Sequence, residues 1–284
     1  MYKRVVVGTD LSDTARVATD RAAALARTIG APLVLVHAGR SGAALSSLAE
    51  AYGAEAVVRD GNPADVLISE ADKEPGSLLV VGSVGMRGAR RFLLGSVPNK
   101  VSHHVSTDLL IVKTDPPPPE VGEYRRILVG TDGSPTAMRA VDMASDLAKE
   151  VGARATVVCA YEPPTDEELR RYRSDPNDPV AQWGAGSETG VPEEFRWRIA
   201  AATQAEDVLD RALDHAAARG VEVDVRAEQG TPADVLINVA EAEGFDLIVV
   251  GSVGMTGTGR FMLGNVPNRV SHHAPTDILI LRTQ

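Results

Sequence analysis

The sequence predicts an α/β protein of two tandem, doubly wound domains, each a five-stranded parallel sheet with helices on both faces. Two observations carry this prediction. Segments 78–113 and 247–282 are identical at 24 of 36 aligned positions, so one unit occurs twice in the chain. Each copy also alternates short runs of valine, leucine and isoleucine with amphipathic helical stretches, which is the pattern of strands buried on both faces and joined by helical crossovers.

A proline-rich segment divides the two copies. Residues 115–124 hold four consecutive prolines, which neither a helix nor an inner strand accepts, so we interpret this segment as a stiff linker. The first domain is therefore predicted at residues 1–114 and the second at residues 125–284. The second domain carries an insertion, residues 161–198, which holds both tryptophans and is expected to pack as a lid or an interface.

Each domain is predicted to open with a strand that ends in Gly-Thr-Asp, within Lys3–Asp10 and Arg126–Asp132. Ser12 and Ser134 follow where a side chain can cap the first helix. The later elements follow in the same order in both copies. They are second strands at Pro32–Ala38 and Ala155–Ala160, second helices within 42–53 and around Ile199–Arg219, and third helices that begin at Pro63 and Pro232 after the capping residues Asn62 and Thr231.

Composition narrows the function classes. The formal net charge of −10 argues against a broad surface for nucleic acid or an anionic membrane. Cys159 is the only cysteine, so an intramolecular disulfide or a cysteine metal cluster is ruled out. The start of the chain lacks the pattern of a signal peptide, and no apolar run approaches the roughly 20 residues of a membrane helix. We therefore expect a cytoplasmic protein.

Both copies carry glycines at the spacing G-x2-G-x9-G, after the fourth strand and before the fourth helix. Glycine lets backbone N–H groups approach an anion, and a helix N-terminus attracts phosphate. The first strand of each copy ends in an aspartate, Asp10 or Asp132. If the first and fourth strands are neighbours where the strand order reverses, both loops border one crevice, the usual ligand position in open α/β sheets.

This pattern resembles the universal stress protein family in its tandem, ATP-binding form, with Rossmann-like, adenine nucleotide α-hydrolase-like domains. The resemblance covers nearly all of the chain except the linker and the insertion. The family signature ends in a serine or threonine, which the first copy has and the second replaces with an asparagine. The matching residues are Gly82, Gly85, Gly95 and Ser96 in the first copy and Gly251, Gly254, Gly264 and Asn265 in the second.

The resemblance also assigns roles to residues outside the signature. Those residues are Asp10 and Asp132 for the ribose, Ala38 and Ala160 for backbone contact with adenine, Val81 and Val250 for the pocket lining, and Val97 and Val266 for backbone contact near the phosphates. From the repeat itself, Arg91 and Arg260 align between the glycines and are candidates for phosphate contact. Solvated loop arginines, and aspartates that only shape a turn, are the alternative interpretations.

The resemblance implies a stress-response protein that binds ATP in each domain, with Mg²⁺ accompanying the nucleotide. We expect it to act as a sensor or regulator through an unknown regulatory partner. No residues resemble a catalytic triad or a carboxylate pair, so no catalytic residue and no enzyme activity is predicted, with slow ATP hydrolysis left open. The adjacent histidine pairs, 103–104 and 272–273, diverge on a helix, so no metal site is predicted.

Three other functions are alternatives to a nucleotide-binding regulator. An ATP pyrophosphatase would carry an SGGxDS loop after the first strand, which neither copy has. A phospho-receiver domain would need clustered acidic residues after the first strand and an acceptor aspartate after the third strand, where this chain has RDGNP and EQGTP. A nucleotide-free dimerisation module is the remaining alternative, and the intact glycine spacing argues against it.

The last strand of each domain, Leu109–Val112 or Ile278–Leu281, would leave an apolar sheet edge exposed. Pairing these two strands across a pseudo-two-fold axis would cover both edges. We therefore expect the two domains to associate internally. A further homodimer is compatible with the sequence but does not follow from it.

Overall fold

The computed structural model describes residues 1–40, 42–84, 94–114, 123–162, 193–254 and 263–282, with side chains from residue 200 onward in the helix that begins at Glu193. Strands and helices alternate in the predicted order. The strands are β1 Arg4–Gly8, β2 Leu33–Ala38, β3 Glu55–Arg59, β4 Ser77–Gly82, β5 Asp108–Val112, β6 Arg126–Gly130, β7 Arg154–Tyr161, β8 Val223–Gln229, β9 Leu247–Gly251 and β10 Asp277–Leu281. The helices are α1 Asp13–Thr28, α2 Ala43–Tyr52, α3 Pro63–Ala71, α4 Ser96–His104, α5 Pro135–Val151, α6 Glu193–Ala218, α7 Pro232–Glu243 and α8 Asn265–His273.

All ten of these strands form one sheet, in the order β3-β2-β1-β4-β5-β10-β9-β6-β7-β8. Within each half the strands are parallel. The halves meet where β5 and β10 pair antiparallel, with Leu110 opposite Leu279. This is the pairing that the two apolar edges predicted, and it removes both from solvent.

Helices cover both faces of the sheet because successive strand residues point to opposite sides. Val5 and Val7 pack against α1 and α2 on one face, whereas Val6 packs against α3 and α4 on the other. The second half repeats this arrangement with α5 and α6 on the first face and α7 and α8 on the second. The predicted α/β class, with a mostly parallel sheet and helices on both faces, is confirmed.

Three of the four predicted helix caps form. Ser12 and Ser134 accept hydrogen bonds from the N–H groups of the residues three positions later, and Asn62 caps α3. Thr231 is different, because its hydroxyl donates to Asp234 instead of capping α7.

The structure also corrects two expected boundaries. Strand β7 continues to Tyr161, and α6 begins at Glu193, six residues before the expected Ile199, so the ends of segment 161–198 belong to regular elements. Tyr124, expected as the last linker residue, is only 3% exposed and packs into the core. An aromatic ring between Glu123 and Arg125 was a sequence signal for burial, but the preceding prolines indicated a linker.

A buried carboxylate at the start of β10 ties the halves together. Asp277 Oδ2 accepts hydrogen bonds from Arg21 Nε at 3.0 Å and from the Tyr124 hydroxyl at 2.9 Å. Its Oδ1 accepts from the Lys113 N–H at 2.9 Å. Arg21 and Lys113 belong to the first half and Asp277 to the second, so one ionic cluster spans the junction.

A second cluster forms around Asp108 at the start of β5. Arg139 Nη2 lies 2.9 Å from Asp108 Oδ2, the Tyr2 hydroxyl lies 3.2 Å from the same oxygen, and the Arg282 N–H lies 2.7 Å from Oδ1. Burial raises the pKa of Asp108, and the Arg139 charge opposes that shift. The junction therefore has one buried carboxylate from each half, each held by cations and tyrosines.

The strand ends at the junction reach across it reciprocally. Lys113, after β5, donates from Nζ to the Ser271 carbonyl of α8 at 3.0 Å. Arg282, after β10, donates to the Ser102 carbonyl of α4. Each cation thus meets the C-terminal turn of a helix from the other half, where the helix dipole favours positive charge.

Substitution of Lys113 is expected to change how stability depends on pH. Burial lowers the pKa of Lys113 to about 8 from its ordinary value of 10.5. Between these values the unfolded chain binds more protons than the folded one, so Lys113 makes the free energy of unfolding rise with pH. From pH 8 to 9.5 the free energy of unfolding of the wild type, measured by urea unfolding, should rise by about 1–2 kcal/mol relative to that of K113M.

Lys3→Met is the control for this experiment, because it removes the same charge from an exposed residue. Over that pH range K3M is expected to change relative to wild type by less than K113M does. The prediction would be contradicted if the free energy of unfolding of the wild type relative to K113M changed no more than it does relative to K3M, or fell as the pH rises.

Candidate functional site

The strand order reverses between β1 and β4 in the first half and between β6 and β9 in the second. Strands β1 and β4 are parallel neighbours, with Val7 opposite Val80. The loop after β1 leads to α1 on one face of the sheet, and the loop after β4 leads towards α4 on the other face. The chain thus continues to opposite faces of the sheet after these two strands, and such a switch point is where open α/β sheets form a ligand crevice.

Backbone hydrogen bonds bring the ends of each glycine segment together. The Gly95 N–H donates to the Ser83 carbonyl at 2.8 Å, and the Ser83 N–H donates to the Val112 carbonyl at 2.7 Å. In the second half the Gly264 N–H donates to the Ser252 carbonyl at 2.7 Å. The turn after β4 or β9 is thus fixed against the start of the next helix, although twelve residues separate Ser83 from Gly95.

Helices α4 and α8 begin without a side-chain cap, at Gly95 and Gly264. Pro98 and Pro267 remove a donor from the third position of each helix, so the backbone donors of the first turn belong to Ser96 and Val97, and to Asn265 and Val266. Gly95 has φ −61° and ψ 163°, a conformation that any residue adopts. Glycine at this position therefore leaves space for another group to approach the helix start, and it is not required by an unusual backbone conformation.

The two aspartates shape the turns after β1 and β6. Asp10 Oδ1 accepts from the Ser12 N–H at 3.1 Å, and Asp132 Oδ1 accepts from the Ser134 N–H at 3.0 Å. A Cβ added to Gly254 would lie 2.6 Å from Asp132 Oδ2. The structure thus brings the first-strand aspartate against the second glycine of the signature, so both predicted loops border one crevice in the second half.

The residues at the ends of the second strands lie at the same edge. Ala38 ends β2, and Ala160 is the penultimate residue of β7; both are half-buried. His37 Nδ1 lies 2.9 Å from the Thr9 carbonyl, which ties β2 to the turn after β1. Val81 and Val250, the predicted pocket-lining residues, are 3% and 2% exposed, and their side chains pack in the core.

Cys159, next to Ala160, is expected to be nearly inert in the folded protein. The thiol is 5% exposed, and burial raises its pKa to about 11, with a further contribution from the Asp132 charge. At pH 8 reaction with Ellman's reagent should be at least about 100-fold slower than in urea, because thiolate is the reacting form. A C159S variant supplies the zero-reaction control, and equal rates in both states would contradict the burial.

Several predicted contacts lie outside the described residues, namely Gly85, Arg91 and Arg260, together with Trp183 of the insertion. The histidine pairs behave as expected, since His103 and His272 are half-buried and the histidines that follow them are exposed. Burial lowers the pKa of His272, with smaller effects from His273 and Lys113. Within the described ranges, no group of three or more histidine, cysteine or acidic side chains is arranged to hold a metal ion.

Two features of the crevices escaped the sequence analysis. Leu11 has φ +66° and is 38% exposed at the first crevice, whereas the matching residue of the second is Gly133, with φ +77°. Arg211 of α6 lies against Gly133, since a Cβ added there would be 2.6 Å from Arg211 Nη2. The Leu/Gly difference was visible in the repeat, but the contact with Arg211 depends on how α6 is rotated.

A doubly wound sheet with a glycine turn and an uncapped helix at each switch point defines the Rossmann-like class of α/β proteins. Within that class, the chain belongs to the universal stress protein family. The model of the Universal stress protein family matches residues 1–56, 43–113 and 123–282. None of the described helices is both long and apolar enough to cross a membrane.

Known relatives match about half of the chain at a time. A universal stress protein of Mycobacterium tuberculosis (strain H37Rv) is 32% identical over 161 residues, which is 56% of this chain and 97% of the relative. Universal stress protein YxiE of Bacillus subtilis is 33% identical over 164 residues, 56% of this chain and 99% of the relative. Each of these relatives is therefore little longer than half of this chain.

Solved structures match the whole chain in fold. A universal stress protein from Archaeoglobus fulgidus has a TM-score of 0.66 at 21% identity and covers 99% of both chains. A putative universal stress protein from Pseudomonas aeruginosa has a TM-score of 0.66 at 18% identity and covers 99% of this chain and 93% of its own. At these identities the similarity concerns the fold.

Proposed function

We propose that this universal stress protein binds an adenine nucleotide, ATP, in the crevice of each half and acts as a nucleotide-dependent sensor or regulator. The observation that carries the proposal is the start of α4 and of α8. In each, a glycine that the backbone conformation does not require precedes a helix without a side-chain cap. Such a helix start offers N–H donors and a favourable dipole to a phosphate.

The rest of each crevice supports the same ligand. The backbone donors of Ser96 and Val97, or of Asn265 and Val266, would hold phosphate oxygens. Asp10 and Asp132 lie at the neighbouring turn, where a ribose hydroxyl could donate to a carboxylate. The carboxyl ends of β2 and β7, at Ala38 and Ala160, would offer backbone groups to adenine.

We further propose that Mg²⁺ arrives with the nucleotide. Phosphate oxygens and water are ligands that Mg²⁺ prefers, and it needs few protein groups when phosphates are present. The two halves would act as separate sites within one sheet, with the regulatory output passing to a partner protein.

Calorimetric titration with ATP tests the proposal on the full chain. Two bound ATP molecules per chain are expected, and protein purified without added nucleotide should release adenine nucleotide on heating, visible at 260 nm and identified by chromatography. Two tryptophans and five tyrosines keep the protein absorbance at 280 nm modest, so the adenine signal should be clear. Absence of both bound nucleotide and ATP binding would contradict the proposal and favour a nucleotide-free interaction module.

A further inference from the structure

The two crevices share one turn but differ at its exposed corner. Leu11 donates its N–H to the Thr9 hydroxyl at 3.0 Å, and Gly133 donates to the Thr131 hydroxyl at 3.2 Å. Leu11 adopts φ +66° and Gly133 φ +77°, so the backbone follows the same path in both halves. The first half holds leucine at this φ, where a side chain is strained, so conformation alone favours glycine at position 133 without compelling it.

Space explains the glycine in the second half. A Cβ at position 133 would lie 2.6 Å from Arg211 Nη2 and 3.0 Å from Val208 Cγ2, both on α6. Val208 is buried, whereas Arg211 is exposed and points its guanidinium over the turn. The room that leucine uses in the first half is thus filled by a cation in the second.

That cation lies at the turn that carries Asp132, since Asp132 immediately precedes Gly133 in the chain. Helix α6, which holds Arg211, also packs against β7. The first half has an apolar side chain, Leu11, in the equivalent place, 38% exposed to solvent. The two crevices therefore differ in charge at one defined point.

We propose that Arg211 is a ligand-binding residue of the second crevice, and that it makes this site depend on the negative charge of its ligand more than the first site does. The inference rests on the proposed function. An exposed guanidinium beside the turn can pair with two phosphate oxygens in bidentate geometry. The leucine of the first site contributes only apolar contact, which is indifferent to the charge of the ligand.

Calorimetry on the full chain separates the two sites when one is blocked. The first site is blocked by Gly95→Val, and Arg211→Met is then compared with its parent for ATP and for adenosine. R211M should weaken ATP binding about tenfold, leave adenosine binding within twofold, and reduce the loss of ATP affinity on adding salt.

Arg125→Met is the matched control. It removes the same charge from the same half, but Arg125 is exposed at the opposite end of the strand, just before β6. R125M should change ATP affinity by less than twofold. It should also leave the salt dependence as in the parent.

The outcomes are distinct. Unchanged ATP affinity in R211M would overturn the inference, as would equal losses for ATP and adenosine, which would indicate a packing role. Tighter ATP binding in R211M would also overturn it, by showing that Arg211 occupies Asp132 in competition with the nucleotide. If the parent binds no ATP, the proposed function of this half fails first, which the parent titration alone reveals.

Discussion

Gly95→Val is expected to weaken ATP binding in the first half at least about a hundredfold, or roughly 3 kcal/mol, and to leave the second half within twofold. The substituted side chain would project over the first turn of α4, where the proposal has backbone donors meet phosphate. The fold should survive, because Gly95 has an ordinary φ of −61° and the Ser83 carbonyl, 3.3 Å from the new Cβ, has to yield by only a few tenths of an ångström. The expected loss of stability is about 1 kcal/mol, as for a poorer N-cap residue.

Two variants control this experiment. Gly264→Val should produce the mirror result, with loss confined to the second half. Gly95→Ala adds only the Cβ and should cost much less affinity than valine. Calorimetry gives the number of sites and their affinities, and thermal unfolding reports whether the fold is intact. Equal loss at both sites in G95V would contradict independent crevices, and unchanged binding would contradict a phosphate site at the helix start.

Asp277→Ala is expected to reduce the free energy of unfolding by about 3–5 kcal/mol, because it leaves a buried cation without its carboxylate. The Arg21 side chain is only 9% exposed and pairs with Asp277 at 3.0 Å. The same substitution removes the acceptor of the Tyr124 hydroxyl and of the Lys113 N–H. Urea unfolding followed by circular dichroism measures the change.

The equivalent substitution in the other half provides the comparison. Asp108→Ala should cost less than Asp277→Ala, about 2–3 kcal/mol, because Arg139 is 30% exposed and can be hydrated when its partner is lost. Asp65→Ala is the surface control, since Asp65 and Lys100 pair at 2.7 Å but are 60% and 42% exposed; the expected change is within about 0.5 kcal/mol. A larger loss for D108A than for D277A would contradict the burial argument.

Both carboxylate clusters join residues of different halves, so the halves should unfold together. A single transition is expected for the wild-type chain, with the same midpoint by fluorescence and by circular dichroism. D277A should shift that transition or split it.

The sheet topology could be predicted because its signals are local and repeated. Apolar runs, Gly-Thr-Asp strand ends and capping serines occur in each copy, and together they determine the order of strands and the switch point. The two last strands could be paired in advance because each is apolar and each lacks a neighbour on one side. These inferences need only patterns within about ten residues and the rules of parallel α/β sheets.

The junction clusters could not be predicted in the same way, because their partners are distant in the chain. Arg21 and Asp277 are separated by 256 residues, and nothing near either one indicates the other. The repeated Thr-Asp at the start of β5 and β10 was a usable signal, since an aspartate that opens a buried apolar strand needs a partner. Which cation supplies it depends on how α1 and α5 pack at the junction.

The candidate site could be predicted in part. The turns, the glycines and the helix starts follow from the repeat, and the structure brings Ser83 to Gly95 and Asp132 to Gly254. The contact between Arg211 and Gly133 does not follow, because it depends on which face of α6 meets the turn. The early start of α6 was missed because its first residues are polar and follow a proline-rich stretch.

Joining the halves through β5 and β10 on a single polypeptide has a consequence for how this protein can vary. The association does not depend on protein concentration, so dilution cannot separate the halves or alter the ratio of one crevice to the other. In a symmetric assembly of identical subunits, every substitution would appear in both crevices. Here each crevice is encoded by its own stretch of sequence, so Leu11 and Gly133 can occupy equivalent turns of one molecule.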